Sequence, residues 1–333
     1  MLKLSEIARL RRTVDAAWRS PVADAAAAAW GMPAGAARFW RSSASHVFVV
    51  PAGAPGAPGG QAAYLRFVPA GSRQADELER AAAVMSAWAD AAVPVVRPMP
   101  SRDGRATERV VTEHAELVAM LVPAASGDEL DLDELTDVAA GVWGAALGRL
   151  HTTSARVGPA PMRGAAVDRP SADDAELVRA AEGIAAAVAM LDPSTHSRGV
   201  IHGDFELDNL RFTDGVATFF DVDEARVDWF AADIALATRD LTGVTLDGEP
   251  RPELLAAFLR GYRSEREFSV EEEASLELFG VAASVGLALD VLEALDLDEH
   301  DHDPDWLMEL RSSLRRHLHW HRDRALVFAA TVD

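Results

Sequence analysis

The sequence predicts an α+β protein of two lobes, a small antiparallel-sheet lobe followed by a larger, mostly helical one. Three observations predict it. Strand-forming segments crowd into the chain before Pro123, helix-period segments dominate after it, and 333 residues at 49% hydrophobic content suffice for two cores. The expected organisation is a helical extension over residues 1–30, a sheet lobe over 31–123 and a helical lobe over 124–333.

Residues 1–30 read as one or two helices, with Leu4, Ile7, Leu10, Val14 and Trp18 on a stripe suited to packing on a lobe. Phe39 to Ser43, Ser45 to Val50 and Ala62 to Val68 read as three strands of a meander. The Gly- and Pro-rich run from Pro51 to Gly60 lacks a hydroxyl and reads as a flexible spacer. A helix is expected from about Gln74 to Ala91, with Leu78, Ala81, Val84, Met85 and Trp88 on its apolar face. Two more strand-like segments follow, about Arg109 to Val111 and Glu116 to Val122. Leu135 to His151 reads as an amphipathic helix, with His151 as a terminal cation on its last carbonyls. Further helices are expected at about 251–263, 270–296 and 304–325.

The chemistry concentrates in residues 202–221. Asp214-Gly215 marks a two-residue hairpin turn, because both positions tolerate the positive φ that such a turn demands. Folding back about it sets Asn209 opposite Phe220 and Asp208 opposite Asp221. Asn209 and Asp221 then lie within one register step, where opposed Cβ atoms are roughly 5 Å apart. An amide and a carboxylate at that spacing suit Mg²⁺ on a nucleotide. Asp204 precedes the hairpin on a loop opened by Gly203, where a substrate hydroxyl can approach. An acid, an amide five residues later and a second acid ending a strand form the layout of a phosphoryl-transfer site.

The run from Val200 through His202-Gly203-Asp204 to Asn209, continued by Phe220-Asp221-Val222-Asp223, resembles the signature of the aminoglycoside phosphotransferase and choline kinase superfamily. The resemblance extends over about residues 36–325 and implies a protein-kinase-like fold that transfers the γ-phosphoryl group of ATP (or GTP) to a small-molecule hydroxyl, that of a cationic antibiotic or an amine-bearing metabolite. It implies Asp204 as the catalytic acid, Asn209 and Asp221 as Mg²⁺ ligands, and Asp233 as a structural acid. The Ser42–Ser45 connection resembles the loop over the phosphates, making Ser43 and Ser45 nucleotide contacts. Met120-Leu121-Val122-Pro123 resembles the hinge, where backbone groups of Met120 and Val122 would meet the purine edge. Kinases place a Lys on the third strand, against the α- and β-phosphates. Here that position is Arg66, and Lys3 is the sole lysine of the chain. Guanidinium can grip phosphate oxygens, and Glu77, ahead of Glu79 by spacing, is expected to hold it. The lysine count excludes a P-loop NTPase. A bacterial Ser/Thr protein kinase and a nucleotide-binding scaffold stand as alternatives to a small-molecule kinase.

The formal net charge of −21 disfavours a nucleic-acid partner and favours a cationic small molecule, though it also serves solubility. Glu206, Asp208, Asp223 and Glu224, with Asp228, are the acids expected near the acceptor. With no cysteine, disulfides and zinc–thiolate sites are excluded. No apolar run is long enough to span a membrane, and a cytoplasmic location is expected. Two clusters imitate metal sites: Asp298 to Asp303, better explained by acids at a helix N-terminus, and His317, His319 and His321.

Overall fold

The computed structural model describes residues 1–113, 115–157, 174–193, 196–246, 248–300 and 302–332. The chain divides into two compact units, Met1–Ser126 with Val222–Glu224, and Gly127–Asp221 with Ala225–Asp333.

The first unit is built on a five-stranded antiparallel sheet. Its strands are β1 (Arg38–Ser42), β2 (His46–Val50), β3 (Ala63–Pro69), β4 (Thr107–Val111) and β5 (Glu116–Pro123), in the order β1-β2-β3-β5-β4. Residue alternation assigns its two faces. Phe48, Leu65, Phe67, Leu117, Ala119 and Leu121 share one apolar cluster with Leu10, Val22, Ala23 and Ala26 from helices α1 (Leu4–Arg11) and α2 (Pro21–Ala27). Arg66 therefore points to the opposite face. Helix α3 (Arg73–Asp90) buries Leu78, Ala81, Val84, Met85 and Trp88, as its periodicity predicts.

The N-terminal stripe is shorter than expected. Helix α1 stops at Arg11, Thr13 Oγ1 turns back onto the Leu10 carbonyl at 2.7 Å, and Ser20 Oγ caps α2 by accepting from the Val22 N–H. Trp18 falls in the turn between the helices at φ 62° and is 52% exposed, so the fully buried part of the stripe ends at Leu10, with Val14 half-buried against the same cluster.

The second unit holds helices α4 (Asp137–Val157), α5 (Ala175–Ala189), α6 (Phe230–Ala237), α7 (Pro252–Glu265), α8 (Val270–Ala274), α9 (Leu276–Ala294) and α10 (Asp305–Val332). Two strand pairs complete it: β6 (Arg198–Ile201) with β9 (Arg226–Trp229), and β7 (Leu210–Thr213) with β8 (Val216–Phe219). Leu177, Ala181 and Ile184 of α5 pack with Val281, Val285 and Ala288 of α9 and Ala325 of α10. No helix among the described residues is long and apolar enough to cross a membrane.

Helices α4 and α7 meet through glycine. A Cβ on Gly144 would lie 1.9 Å from the Phe258 carbonyl oxygen, and one on Gly261 would lie 1.9 Å from that of Gly141. Neither backbone can yield without moving a helix. Gly144→Ala is expected to destabilise the protein by about 3 kcal/mol or more, read as a lower urea midpoint.

Candidate active site

The β7–β8 register is Leu210↔Phe219 through Thr213↔Val216, about Asp214 at φ 49° and Gly215 at φ 77°. The predicted pairing holds one step further, since the Phe220 N–H donates to the Asn209 carbonyl at 3.1 Å. Asn209, in a short 3₁₀ turn over Leu207–Asn209, is buried. Its Nδ2 donates to the Asp204 carbonyl at 2.9 Å and to Asp204 Oδ2 at 3.0 Å. The amide nitrogen is thus committed to Asp204, and Oδ1 is the atom left to meet a cation. Asp221 follows at φ 62°, a left-handed conformation that a non-glycine residue holds only when its surroundings impose it.

The loop carrying Asp204 is pinned from beneath. Asp233, fully buried on α6, accepts the His202 N–H at Oδ2 (2.8 Å) and the Gly203 N–H at Oδ1 (2.8 Å). Gly203 adopts φ 83°, where a side chain would be strained. His151 Nε2 donates to Asp233 Oδ2 at 2.9 Å. Because that nitrogen must carry the proton, Nδ1 of a neutral ring accepts from the Tyr262 hydroxyl at 2.8 Å. The Trp143 indole N–H adds a bond to the Phe205 carbonyl at 3.1 Å. His151 is therefore no terminal cation, because α4 runs on to Val157 and the ring is sealed between Asp233 and Tyr262.

Burial lowers the His151 pKa, against the opposing pull of Asp233, and lowers His46 on β2 to about 4. Below pH 6.5 the unfolded imidazoles take up protons that the folded ones refuse, so stability falls as pH drops. From His46 alone the loss at pH 5 is about 2 kcal/mol, with His151 acting in the same direction. Glu206, pushed up to about 10 by burial, acts in the opposite direction over this range. The expected readout is therefore a change in Tm from pH 7 to pH 5 that is more favourable in His46→Gln than in the wild type.

Around Asp204 the second unit gathers acids. The Glu206 carboxylate is bound by Arg239 Nη2, and Arg239 Nη1 lies 3.9 Å from Asp204 Oδ1. Burial pushes Glu206 up to about 10, the Asp204 carboxylate adds to the shift, and Arg239 opposes it. Asp240 is also raised, by burial first and with Asp208 contributing. Arg239 and Asp240 escaped sequence reasoning, since an Arg-Asp pair just after an alanine-rich helix carries no local signal. Asp228 takes no part in this cluster; it is buried on β9, paired with Arg226 at 3.0 Å. Glu224 is exposed.

In the first unit Arg66 is buried. Its Nε donates to Ser45 Oγ at 3.2 Å, and its Nη2 to Asp223 Oδ2. Asp223, grouped by sequence with the acceptor-facing acids, instead sits on Arg66. Ser43 and Ser45 close the β1–β2 turn, where the Ser43 N–H donates to the Ser45 carbonyl at 3.1 Å. Glu77 lies 3.2 Å from Arg73, one helical turn earlier.

The hinge expectation needs correction in its residues. Met120 and Val122 pair with Arg66 and Tyr64 on β3, and the same ladder runs from Ala70 N–H to the Glu116 carbonyl and from Ala124 N–H to the Ala62 carbonyl. Even-numbered residues of β5 therefore turn their N–H and C=O groups toward β3. The groups of Leu121 and Pro123 turn the other way, and the Leu121 carbonyl accepts from the Met99 N–H at 2.8 Å. Met120 and Val122 have no backbone group to offer a base.

Members of both metal-like clusters have other partners. Asp303 pairs with Arg311 at 2.9 Å and Glu299 with Arg315 at 2.8 Å, while Asp301 lies outside the described residues. His321 Nδ1 lies 3.3 Å from Ser284 Oγ. Among the described residues no three His, Cys, Asp or Glu side chains converge as a metal cage. The Asn209 amide oxygen and the Asp221 carboxylate are donor types that suit Mg²⁺.

The model of the phosphotransferase enzyme family matches residues 43–268, more than half of the chain. The chain belongs to this family. No curated protein matches the sequence. Among solved structures, an amicoumacin kinase in complex with AMP-PNP and Ca²⁺ is similar at TM-score 0.69 and 16% identity, covering 90% of this chain and 91% of that one. A microcompartment-associated aminopropanol kinase gives TM-score 0.66 and 21% identity, over 93% and 96% of the chains. A putative fructosamine-3-kinase from Thermobifida fusca gives 0.54 and 20%, over 90% and 99%. At these identities the likeness shows the fold, and the α+β, kinase-like class expected of this phosphotransferase is the one observed.

Proposed function

We propose that this phosphotransferase moves the γ-phosphoryl group of ATP (or GTP) to a hydroxyl of a small, amine-bearing molecule. One observation carries the reading: the Asn209 amide nitrogen binds both the side chain and the main chain of Asp204. It orients the acid that meets the acceptor hydroxyl and at the same time turns Oδ1 toward a cation.

In this reading Asp204 orients the hydroxyl and accepts its proton late, since a loose transition state demands little base strength. Asn209 and Asp221 are the residues that would hold Mg²⁺. Held there, Mg²⁺ would supply positive charge to offset that of the phosphates. Arg66, positioned with Ser45, faces the phosphates of the leaving nucleotide. In this reading the purine edge meets the outward Pro123 carbonyl rather than a group of Met120 or Val122, since the Leu121 carbonyl is taken by Met99.

The amine follows from electrostatics. Asp204, Glu206, Asp208 and Asp240 crowd one region, with Arg239 the guanidinium that binds among them. A cationic group on the acceptor would favour the ionised forms of Glu206 and Asp240 that burial opposes, and the chain's net charge of −21 would draw it in. The aminopropanol and fructosamine kinases of the same fold are named for amine-bearing acceptors. The test is turnover of MgATP against a panel of amino alcohols, amino sugars, aminoglycosides and neutral polyols, with mass spectrometry for one added phosphate. Transfer to neutral polyols alone would contradict the amine; transfer to none, with a Ser/Thr peptide phosphorylated instead, would favour a protein kinase.

A further inference from the structure

We infer that Asp223 is a positioning residue for Arg66, and that Asp223, Arg66 and Ser45 form one phosphate-facing clamp that needs arginine rather than lysine. The inference rests on the reading of Arg66 as the phosphate contact and goes beyond it by naming what holds that contact.

Arg66 lies on the middle strand of its sheet, between Val47 of β2 and Met120 of β5. Its side chain is 7% exposed and that of Asp223 is 9% exposed. A guanidinium this deep is tolerated only with its charge met and its donors engaged. The two contacts fall at different points of the guanidinium, Nε on Ser45 and Nη2 on Asp223, so together they fix its plane as well as its position. Lysine presents a single nitrogen at the end of a flexible stem and cannot hold both partners from those two points. The chain's departure from the usual kinase lysine thus has a local cause in Asp223.

The placement of Asp223 gives it a second effect. The chain enters the first unit only for Val222–Glu224, with Val222 buried and Asp223 on Arg66. That excursion begins at the residue after Asp221, which is held at φ 62°. An anchored Asp223 therefore restrains, through two peptide links, the residue proposed to bind the metal.

The test is a phosphate ladder: affinities for adenosine, ADP and AMP-PNP, with Mg²⁺ and with EDTA, for the wild type, Asp223→Asn, Arg66→Lys, Arg66→Met and the double variant Asp223→Asn with Arg66→Lys. Asp223→Asn is expected to weaken ADP and AMP-PNP by about tenfold and to leave adenosine unchanged. The loss should persist in EDTA, and the double variant should bind no worse than the weaker single one. A uniform loss that includes adenosine, or a loss seen only with Mg²⁺, would overturn the clamp in favour of a general structural or a metal-binding role. Wild-type affinity in Asp223→Asn would overturn it outright. If Arg66→Met leaves ADP and AMP-PNP binding untouched, the failure lies in the underlying assignment of Arg66. Circular dichroism and Tm on every variant establish that it is folded.

Discussion

Replacement of Asp204 by Ala is expected to lower kcat by about 10²–10⁴-fold while changing nucleotide affinity by less than about threefold. The Asp204 side chain is 35% exposed, its Oδ2 accepts from Asn209 Nδ2, and its Oδ1 lies 3.9 Å from Arg239 Nη1. Asp204→Asn keeps the shape and one acceptor oxygen but loses the charge, so kcat for Asn should fall nearly as far as for Ala. Asn209→Ala should behave differently, because Asn209 both steadies Asp204 and would hold Mg²⁺. Both kcat and the apparent affinity for MgATP should drop. Steady-state kinetics with the panel acceptor, paired with AMP-PNP binding, separates the two patterns. Equal loss of turnover and nucleotide binding in Asp204→Ala would show that the residue serves the nucleotide rather than the acceptor.

The elements that could be read from sequence were those fixed by local rules. The strand period of two and the Asp214-Gly215 turn set the hairpin register, and from it the pairing of Asn209 with Phe220 followed. The apolar face of α3 followed from its helical spacing. What escaped was whatever depends on a partner far along the chain. Asp223 and Arg66 are 157 positions apart, and no periodicity links them. His151 sits at a helical position whose face is decided by Asp233 and Tyr262, 82 and 111 positions away. Met120 and Val122 were misassigned for a subtler reason. Which backbone groups of a strand are spent depends on the registers with both neighbours, and the sequence of β5 alone contains neither.

The largest stability effect is expected at Asp233, whose two oxygens accept from three buried donors: the His202 and Gly203 N–H groups and His151 Nε2. Asp233→Ala strands all three, and each unsatisfied buried donor costs about 1–3 kcal/mol. A total loss of about 4 kcal/mol or more is expected, read as a fall in the urea midpoint with the slope unchanged. Asp233→Asn should fall short of that. Its remaining oxygen can still serve His151 and His202 at the Oδ2 position, leaving an NH₂ group against the Gly203 N–H. Tyr262→Phe should cost least, about 1 kcal/mol, because it removes one hydroxyl from His151 Nδ1 and leaves the carboxylate contacts intact. The order Ala, then Asn, then Phe tests the tautomer as well as the magnitudes. If His151 were charged, both ring nitrogens would donate, Tyr262 would have to accept, and Asp233→Asn would expose an unpaired buried cation. Asp233→Asn would then approach Asp233→Ala in cost, since both leave that cation without its counter-charge. The activity of the folded Asn variant adds a separate check, since the displaced Gly203 N–H belongs to the residue before Asp204. A variant that folds well yet turns over poorly is the outcome expected if Asp233 fixes the loop rather than merely filling the core.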